Sequence, residues 1–449
     1  MPAHHSPPST RTSYRSLLAR REFFGLYASF TLTSAAATMS GFALGSLVHA
    51  STGSPLLTSM AMYGPAFATV LGAFTLMSVA DGDRPRRTLL TLQMLSLAGV
   101  TAQTIAGLPM TGRFVILFAL GFVQSLNTGV RMGLLAEVVL REQYALARSL
   151  MNITSGGMQI LGYAVGAALL KVVAPSGVFT ISAVLTAVGL LTVAVTIRDR
   201  SVRITRRPGL SATWRTNRAL FAHPGVRALL VNLWVPNGLI VGCEGLLLSY
   251  DEGNAGLFLA AGSAGMLVGD LTVGRLLDVE QRRHCAFVLR VMLAAPVIAF
   301  AVQPPTVVGA LAMLIAGAGF AATLPLQERL LDLTSDPIRG QVQGVESAGR
   351  IAWQGVGAVI GGCTALLVTP AAAIGILAAV SLLITVTTRP ALDRSRPLGS
   401  PVGVHRECRA DPQHRQVSPC GRRGDPISEV AARSTRLADG EAAGPAAGS

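Results

Sequence analysis

Long apolar stretches recur along the chain, and their spacing dominates its hydropathy pattern. Each stretch is roughly 20 residues long, bounded by charge, proline or glycine, and long enough to cross a ~30 Å hydrocarbon layer as a helix. We number them spans 1 to 12: 22–49, 55–80, 88–109, 113–139, 149–172, 175–197, 228–250, 255–277, 285–302, 305–327, 342–368 and 370–388. The pattern predicts an all-α integral membrane protein with twelve transmembrane helices, six on each side of a basic segment.

The composition agrees with a chain that lies mostly in lipid. Of its 449 residues, 51% are hydrophobic and 13% are charged, which is unlike a soluble protein. The net charge of +14 lies in loops and not on one folded surface, so nucleic-acid binding is not expected. With the N-terminus in the cytoplasm, 32 of the 37 basic residues fall on that side, as the positive-inside rule requires. We therefore predict a multi-pass plasma-membrane protein with cytoplasmic termini.

The segments outside the two sets of spans divide the chain further. Trp214 and Phe221 share one face of the basic linker, which predicts a helix lying on the inner leaflet. The last segment is rich in proline, glycine, serine and arginine without apolar periodicity, which is typical of disorder. The predicted regions are an N-tail (1–21), a six-helix bundle (22–197), a linker (198–227), a second six-helix bundle (228–388) and a disordered cytoplasmic tail (389–449).

The two sets of six spans show a weak internal repeat. At a constant offset of 195 residues, four similar pairs align: Glu137 with Asp332, Gln159 with Gln354, Gly162 with Gly357, and Gly166 with Gly361. Repeated six-helix halves around a central cavity are a known transporter architecture, in which the substrate site lies near the membrane midplane. The repeat predicts two pseudo-symmetric bundles.

The turn between spans 8 and 9 carries a transporter signature. It runs from Gly274 through Asp278 to Arg282 and Arg283 as GRLLDVEQRR, which matches five of the seven fixed positions of G-x-L-x-D-R-x-G-R-R. On this motif and its placement, residues 22–388 resemble the major facilitator superfamily (MFS). The resemblance implies a transporter with the MFS fold and not an enzyme.

The motif predicts a cytoplasmic latch between the bundles. We expect Asp278 to pair with Arg282 and Arg283 across the turn, and Asp83 with Arg84 and its neighbours to act similarly between spans 2 and 3. The alternative is that these arginines only set the topology.

Exporters of this superfamily carry G-x-x-x-G-P-x-x-G-G on span 5. In that register this chain has Met158, Gly162, Tyr163 at the proline position, Gly166 and Ala167. Only two positions of the pattern are retained, which leaves the direction of transport open. Small residues four apart also simply allow close helix packing.

Ionisable residues inside a membrane are costly and therefore mark candidate sites. On span 4, Arg131 lies on one stripe with Gln124, Asn127 and Thr128, so we expect it to line the cavity or to form a structural ion pair. Gln159 on span 5 joins this set of candidates.

Span 7 carries Glu244 seven residues after Asn237, on the same helix face, and Pro236 predicts a kink there. A carboxylate removed from water binds a proton more readily, so Glu244 is a candidate for proton coupling. The alternative is that Glu244 reaches water at the outer end of the span.

Spans 8 and 11 supply the other candidates. Asp270 is either a second proton site or a partner for Arg290. Glu346 and Arg350 are spaced as an i, i+4 ion pair, which leaves Arg350, Trp353 and Gln354 directed toward the cavity.

No phosphate loop, metalloprotease helix or metal-ligand cluster occurs in the spans, so no cofactor and no metal is predicted. The sequence predicts a monomeric, proton-coupled exporter of a small organic compound, with a cavity lined by spans 1, 4, 7, 8 and 11. The alternatives are an uptake symporter or facilitator of the same fold and, more distantly, a membrane-embedded enzyme or receptor.

Overall fold

A computed structural model describes residues 14–75, 85–140, 143–199, 217–218, 220–334 and 339–390. Asp83, Arg84, Trp214 and the tail from residue 391 onward lie outside these ranges. The predictions of a latch between spans 2 and 3 and of a disordered tail therefore concern residues that are not described.

All regular structure in the described ranges is helical. Apart from a short helix in the N-tail, Tyr14–Leu18, and a few helical residues before span 7, it follows the twelve predicted spans. Spans 1 to 6 are Arg21–Thr52, Pro55–Tyr63 with Pro65–Thr75, Pro85–Ala102, Met110–Val138, Tyr144–Leu170 and Pro175–Thr196. Spans 7 to 12 are Pro224–Tyr250, Ala255–Leu276, Val279–Ala294 with Ala295–Val302, Thr306–Gly319 with Phe320–Ala322 and Thr323–Asp332, Arg339–Leu367, and Pro370–Thr387. Ten helices of the described chain are long and apolar enough to cross a membrane by themselves. Spans 2 and 3 are the other two apolar segments.

Local sequence explains where the helices begin and where they break. Pro175, Pro224 and Pro370 each stand in the first turn of a span, where a missing N–H costs nothing because that group has no intrahelical partner. Pro65 has the opposite effect, since it follows Gly64 within an apolar stretch and divides span 2 into two helices. Pro296 stands in the segment Ala295–Val302, where span 9 tightens into a 3₁₀ helix.

The packing is pseudo-symmetric. Span 1 packs on spans 5 and 6, and span 7 packs in the same way on spans 11 and 12. Spans 2 and 4 pack together in the first half, as do spans 8 and 10 in the second. The halves meet where span 5 packs on span 8 and where span 2 packs on span 11. The predicted fold class, two pseudo-symmetric six-helix bundles, is confirmed.

We call the end of the bundle that holds Tyr14 and Arg389 the terminal face, and the opposite end the distal face. The outward side of the bundle is apolar, and exposed side chains such as Val115, Leu191, Leu311 and Val386 lie on it. Such a surface is what a lipid-embedded protein presents. The chain is therefore a multi-pass membrane protein.

The described end of the linker packs against span 7. Leu220 is buried, and the ring centroids of Phe221 and Trp234 lie 6.1 Å apart. Residues 220–222 are helical. The prediction of an interfacial helix that includes Trp214 remains a prediction.

Candidate transport site

A carboxylate and two tyrosines meet at the boundary between the halves. The Tyr63 hydroxyl donates to Glu244 Oε2 at 2.9 Å, and the Tyr163 hydroxyl interacts with both groups. These side chains come from spans 2, 5 and 7, so a single polar cluster connects the two bundles. The break at Pro65 ends the first helix of span 2 at Tyr63.

This cluster lies beside a set of contacts that closes the distal face. Ser59 Oγ donates to the backbone oxygen of Gly245 at 2.9 Å, in a buried position. Ser46 Oγ donates to Glu252 Oε1 at 3.1 Å, and Ser249 Oγ lies 3.4 Å from His49 Nδ1. Each contact joins the N-terminal half to the C-terminal half. Glu244 is therefore partly buried next to a closed end, and the alternative that it simply reaches water there is not favoured.

Glycines allow the helices to approach closely around this closure. A Cβ atom on Gly256 of span 8 would overlap the side chain of Ala167 on span 5, and one on Gly362 of span 11 would overlap Leu56 on span 2. Both contacts cross between the halves. Small residues at helix contacts are the usual means of close packing in lipid.

The predicted polar stripe of span 4 divides into a buried pair and an exposed pair of residues. Asn127 and Arg131 are buried, each 2% exposed, on the face that packs toward span 1. There Arg131 donates to Thr33 Oγ1 at 3.4 Å and lies over the ring of Phe30, with its guanidinium carbon 5.2 Å from the ring centroid.

Gln124 and Thr128 of the same stripe are exposed. Span 4 packs one face on span 1 and another face on span 2, and Gly121 contacts Pro65 on the second of these faces. Gln124 and Thr128 lie between the two faces. At 100° per residue, this sector faces the space between the halves. Asn127 Oδ1 and Arg131 Nε are buried and have no hydrogen-bond partner among the described residues.

Span 8 presents Asp270 to the same space. Its glycines Gly265 and Gly269 pack on span 10, and Leu267 contacts Gly156 of span 5. Asp270 lies between those two faces and is exposed, whereas Val268 on the far side belongs to the outward apolar surface.

Arg350 attracts the Asp270 carboxylate and also pairs with Glu346, with Nε and Oε1 3.1 Å apart. The i, i+4 spacing predicts this second contact. The option that Asp270 pairs with Arg290 is wrong, because Arg290 points to span 7. Glu346 is 1% exposed and accepts a further hydrogen bond from Gln327 Nε2 at 2.9 Å.

Spans 7 and 11 approach closely beside these groups. Gly238 contacts the backbone at Trp353, and Gly357 contacts the backbone at Gly238. The approach brings Gln354 Nε2 to 3.4 Å from Asn237 Oδ1. Asn237, Trp353 and Gln354 thus lie together where spans 7 and 11 meet. Gln159 is half-buried on span 5, and its place in the cavity remains a prediction.

The turn between spans 8 and 9 differs from its predicted arrangement. Asp278 Oδ1 accepts from the backbone N–H of Gln281 at 2.8 Å, and Gln281 returns a bond to Asp278 N–H, so this carboxylate caps span 9. Arg282 pairs with Glu328 at 3.1 Å, and Arg283 pairs with Asp332 at 2.7 Å.

The predicted pairing of Asp278 with these arginines is therefore wrong: a capping box holds Asp278, and both arginines reach span 10 of their own half. A contact between halves at the terminal face comes from Arg275, which donates to the Tyr14 hydroxyl at 3.1 Å. Gly274 stands next to Arg275 in the last turn of span 8.

Tyr63 and Tyr163 are the members of the site that the sequence reasoning missed. Tyrosine is common at membrane boundaries, so neither residue stood out in a search for ionisable groups. Two signals could have found them: the Gly64-Pro65 pair directly after Tyr63, and the replacement of the exporter proline by Tyr163. Within the described ranges, no group of three His, Cys, Asp or Glu residues is placed to hold a metal ion.

The family model of the Major Facilitator Superfamily matches residues 26–326. No curated relative matches the chain by sequence.

Solved structures with the same fold include three transporters. A POT family transporter in complex with 5-aminolevulinic acid superposes with a TM-score of 0.69 at 11% identity, covering 84% of this chain and 97% of that one. The nucleoside transporter NupG gives 0.65 at 14% identity, with coverage of 82% and 98%. A D-xylose-proton symporter gives 0.63 at 13% identity, with coverage of 86% and 99%. At these identities the likeness concerns the fold. The family match over most of the chain, together with this shared architecture, shows that the chain belongs to the Major Facilitator Superfamily of transporters.

Proposed function

We propose that this chain is a secondary active transporter in the plasma membrane that exports a small organic compound in exchange for protons. The main support is the hydrogen bond between Tyr63 and Glu244, because it places a carboxylate in the contact that closes one end of the molecule. A proton on Glu244 would change that contact, so proton binding and opening of the distal face would be coupled.

The polar groups of the interior suit a small molecule with both polar and apolar parts. Gln124 and Thr128 of span 4 and Asp270 of span 8 are exposed inside the bundle. Asn237 and Gln354 form a neutral pair beside them. The spans that carry these groups are otherwise mostly apolar in sequence, so we expect a substrate that makes a few hydrogen bonds and fills the remaining space with carbon.

The closed distal face and the exposed interior residues favour a conformation open toward the terminal face. With the termini in the cytoplasm, as the loop charges predict, this would be the inward-facing state. An exporter would load its substrate in this state, and protons entering from outside would then reach Glu244 after the distal face opens.

Vesicle transport tests the coupling. Purified protein in liposomes should show substrate-driven pH changes that Glu244→Gln abolishes and Glu280→Gln leaves unchanged. Glu280 is an acid in the first turn of span 9, away from the contact between halves. Proton movement that persists at the wild-type rate in Glu244→Gln would exclude this role for the carboxylate.

Tyr63→Phe gives a finer test. It removes one donor to an ionised carboxylate but leaves the ring, so transport should persist with its pH dependence shifted to higher pH. An unchanged pH profile would mean that this hydrogen bond does not influence coupling.

Uptake by proton symport is the second candidate. The replacement of the exporter proline by Tyr163, and the fold shared with a protein described as a D-xylose-proton symporter, both favour it. Everted and right-side-out vesicles separate the two. Accumulation of substrate only in right-side-out vesicles would exclude export.

A further inference from the structure

Arg290 of span 9 is a buried cation whose hydrogen-bond partners within the described ranges are neutral. Its side chain is among the most buried of the polar residues, at 2% exposure. One guanidinium nitrogen donates to Asn232 Oδ1 of span 7 and reaches Thr388 Oγ1 at the end of span 12, at 3.4 Å. The Nε–H group is buried and has no hydrogen-bond partner.

The charged residue that acts on Arg290 makes its position less favourable. Arg329 of span 10, which is also buried, repels it. Among the described residues, no carboxylate lies within ion-pair distance of Arg290. A buried charge normally requires an opposite charge, because hydrogen bonds to neutral acceptors replace only part of its lost hydration.

A small cavity adjoins this unpaired group. Its volume is about 20 Å³, and its lining includes Arg290, Asn232, Asn237, Phe320 and Thr323. This is room for one water molecule or one ion of similar size. Both neighbouring helices depart from regular hydrogen bonding at this level: Pro236 stands inside span 7 without an N–H group to donate, and Phe320–Ala322 is a 3₁₀ segment of span 10.

We propose that this cavity binds one small inorganic anion, such as chloride, next to the Nε–H group of Arg290 and the side chain of Asn237. A water molecule would fill the same volume but would leave the charge uncompensated. Because Asn237 also faces Gln354, the bound anion would support one side of the candidate substrate site. The proposal does not depend on the direction of transport or on the coupling ion.

The N-terminal half indicates which variant should fold without the anion. Spans 1 and 3 of the N-terminal half correspond to spans 7 and 9 of the C-terminal half. Gln93 Nε2 of span 3 donates a hydrogen bond to Ser29 Oγ of span 1 at 2.8 Å, and both side chains are fully buried. A neutral amide therefore suffices at this kind of position. Arg290→Gln should accordingly fold and lose its anion dependence.

The experiment measures thermal unfolding of the purified protein in detergent at constant ionic strength, while gluconate is replaced by chloride. Gluconate is too large for the cavity. For the wild type, the unfolding temperature should rise by on the order of 1–2 °C for each tenfold increase in chloride above its dissociation constant. Bromide should act like chloride. Arg290→Gln should show no such rise, whereas Arg227→Gln, an exposed arginine at the start of span 7, should keep it.

A second measurement uses the wild type alone, so the outcome does not depend on whether the variant folds. Crystals grown in sodium bromide should show an anomalous difference peak beside Arg290 Nε. The proposal is overturned if the unfolding temperature is independent of chloride, if Arg290→Gln keeps the wild-type dependence, or if no bromide peak lies in the cavity.

Discussion

The same pair of helices is joined by different chemistry in the two halves. In the N-terminal half, spans 1 and 3 share a hydrogen bond between two neutral, fully buried side chains, from Gln93 to Ser29. In the C-terminal half, spans 7 and 9 are joined through the guanidinium of Arg290 and the amide oxygen of Asn232. One half therefore needs no counter-charge at this position, and the other half does.

The two halves also differ in the charged side chains that lie inside their spans. The C-terminal half places Glu244, Asp270, Arg290 and the Glu346–Arg350 pair inside its spans, whereas Arg131 stands inside span 4 of the other half. The repeated six-helix arrangement supplies the symmetric packing, and single side chains that differ between the halves supply the chemistry. We expect steps that depend on ions to be sensitive mainly to changes in the C-terminal half. The following predictions test this asymmetry.

The largest effect is expected at two glycines that occupy matching positions of the repeat. A Cβ atom on Gly357 would overlap the backbone of Gly238, whereas one on Gly162 would overlap the side chain of Thr38. Gly357→Ala should therefore separate spans 7 and 11 and abolish recovery of folded protein, while Gly162→Ala should cost about 1–3 kcal/mol. Gel-filtration profiles and unfolding temperatures measure both.

Gly344 provides the control for this comparison. It lies on the same helix as Gly357 but has open space where a Cβ atom would be placed. Gly344→Ala should give normal yields. Equal losses for Gly162→Ala and Gly357→Ala would mean that the two halves tolerate overpacking alike.

The next effect concerns Arg131, the charged group inside span 4. Arg131→Gln should lower the transport rate roughly tenfold or more, because a hydrogen bond to a charged group contributes about 1.5–3 kcal/mol. Stability should change little, since the guanidinium has only a long hydrogen bond to Thr33 and a contact with Phe30. Arg148→Gln, at an exposed position on span 5, is the control for transport. Transport at the wild-type rate in Arg131→Gln would exclude a substrate role.

A smaller effect is expected at the neutral contact of the N-terminal half. Gln93→Leu should lower the free energy of unfolding by about 1–2 kcal/mol, because Ser29 Oγ is left buried without this donor. The double variant Gln93→Leu with Ser29→Ala should recover most of the loss. Chloride should not affect either variant differently from the wild type. A double variant less stable than Gln93→Leu would mean that the contact acts mainly through packing.

The smallest effect is expected at the turn between spans 8 and 9. Arg283 and Asp332 are 43% and 40% exposed, and an exposed ion pair contributes about 0–1 kcal/mol. Arg283→Gln should therefore shift the unfolding temperature only slightly, and less in high salt. Asp278→Ala should cost more, about 1 kcal/mol, because it removes a helix cap. The reverse order would favour the latch originally expected from the motif.

The architecture was predictable because it depends on patterns that lipid enforces. The lengths of the apolar stretches were enough to locate all twelve spans, and most predicted boundaries agree with the observed helix ends to within a few residues. The i, i+4 spacing of Glu346 and Arg350 and the shared face of Asn237 and Glu244 follow from helix geometry alone. These features are local, so one sequence contains them.

Contacts between side chains on different spans were harder to predict from the sequence. An ion pair between Asp270 and Arg290 is one option from the sequence, because spans 8 and 9 are neighbours in the chain. In the structure, the rotation of span 9 turns Arg290 toward Asn232. Asp278 was paired with arginines because the motif suggests it, whereas the nearer Gln281 N–H satisfies it first. The partner of Glu244 depends on the break at Pro65 and on the packing of span 2 against span 7, neither of which apolar length encodes.

The low apolarity of span 3 has a consequence for how the chain enters the membrane. Span 3 is a helix of 18 residues that begins beside Arg86 and Arg87, and it is not among the described helices that are apolar enough to cross a membrane by themselves. During synthesis it should therefore insert together with span 2, as a hairpin retained by spans 1 and 4. Truncated chains that end after Ala102 should leave this hairpin accessible to water-soluble labels, and chains that extend through span 4 should protect it. Biogenesis of the first half would then be completed only when its fourth helix emerges.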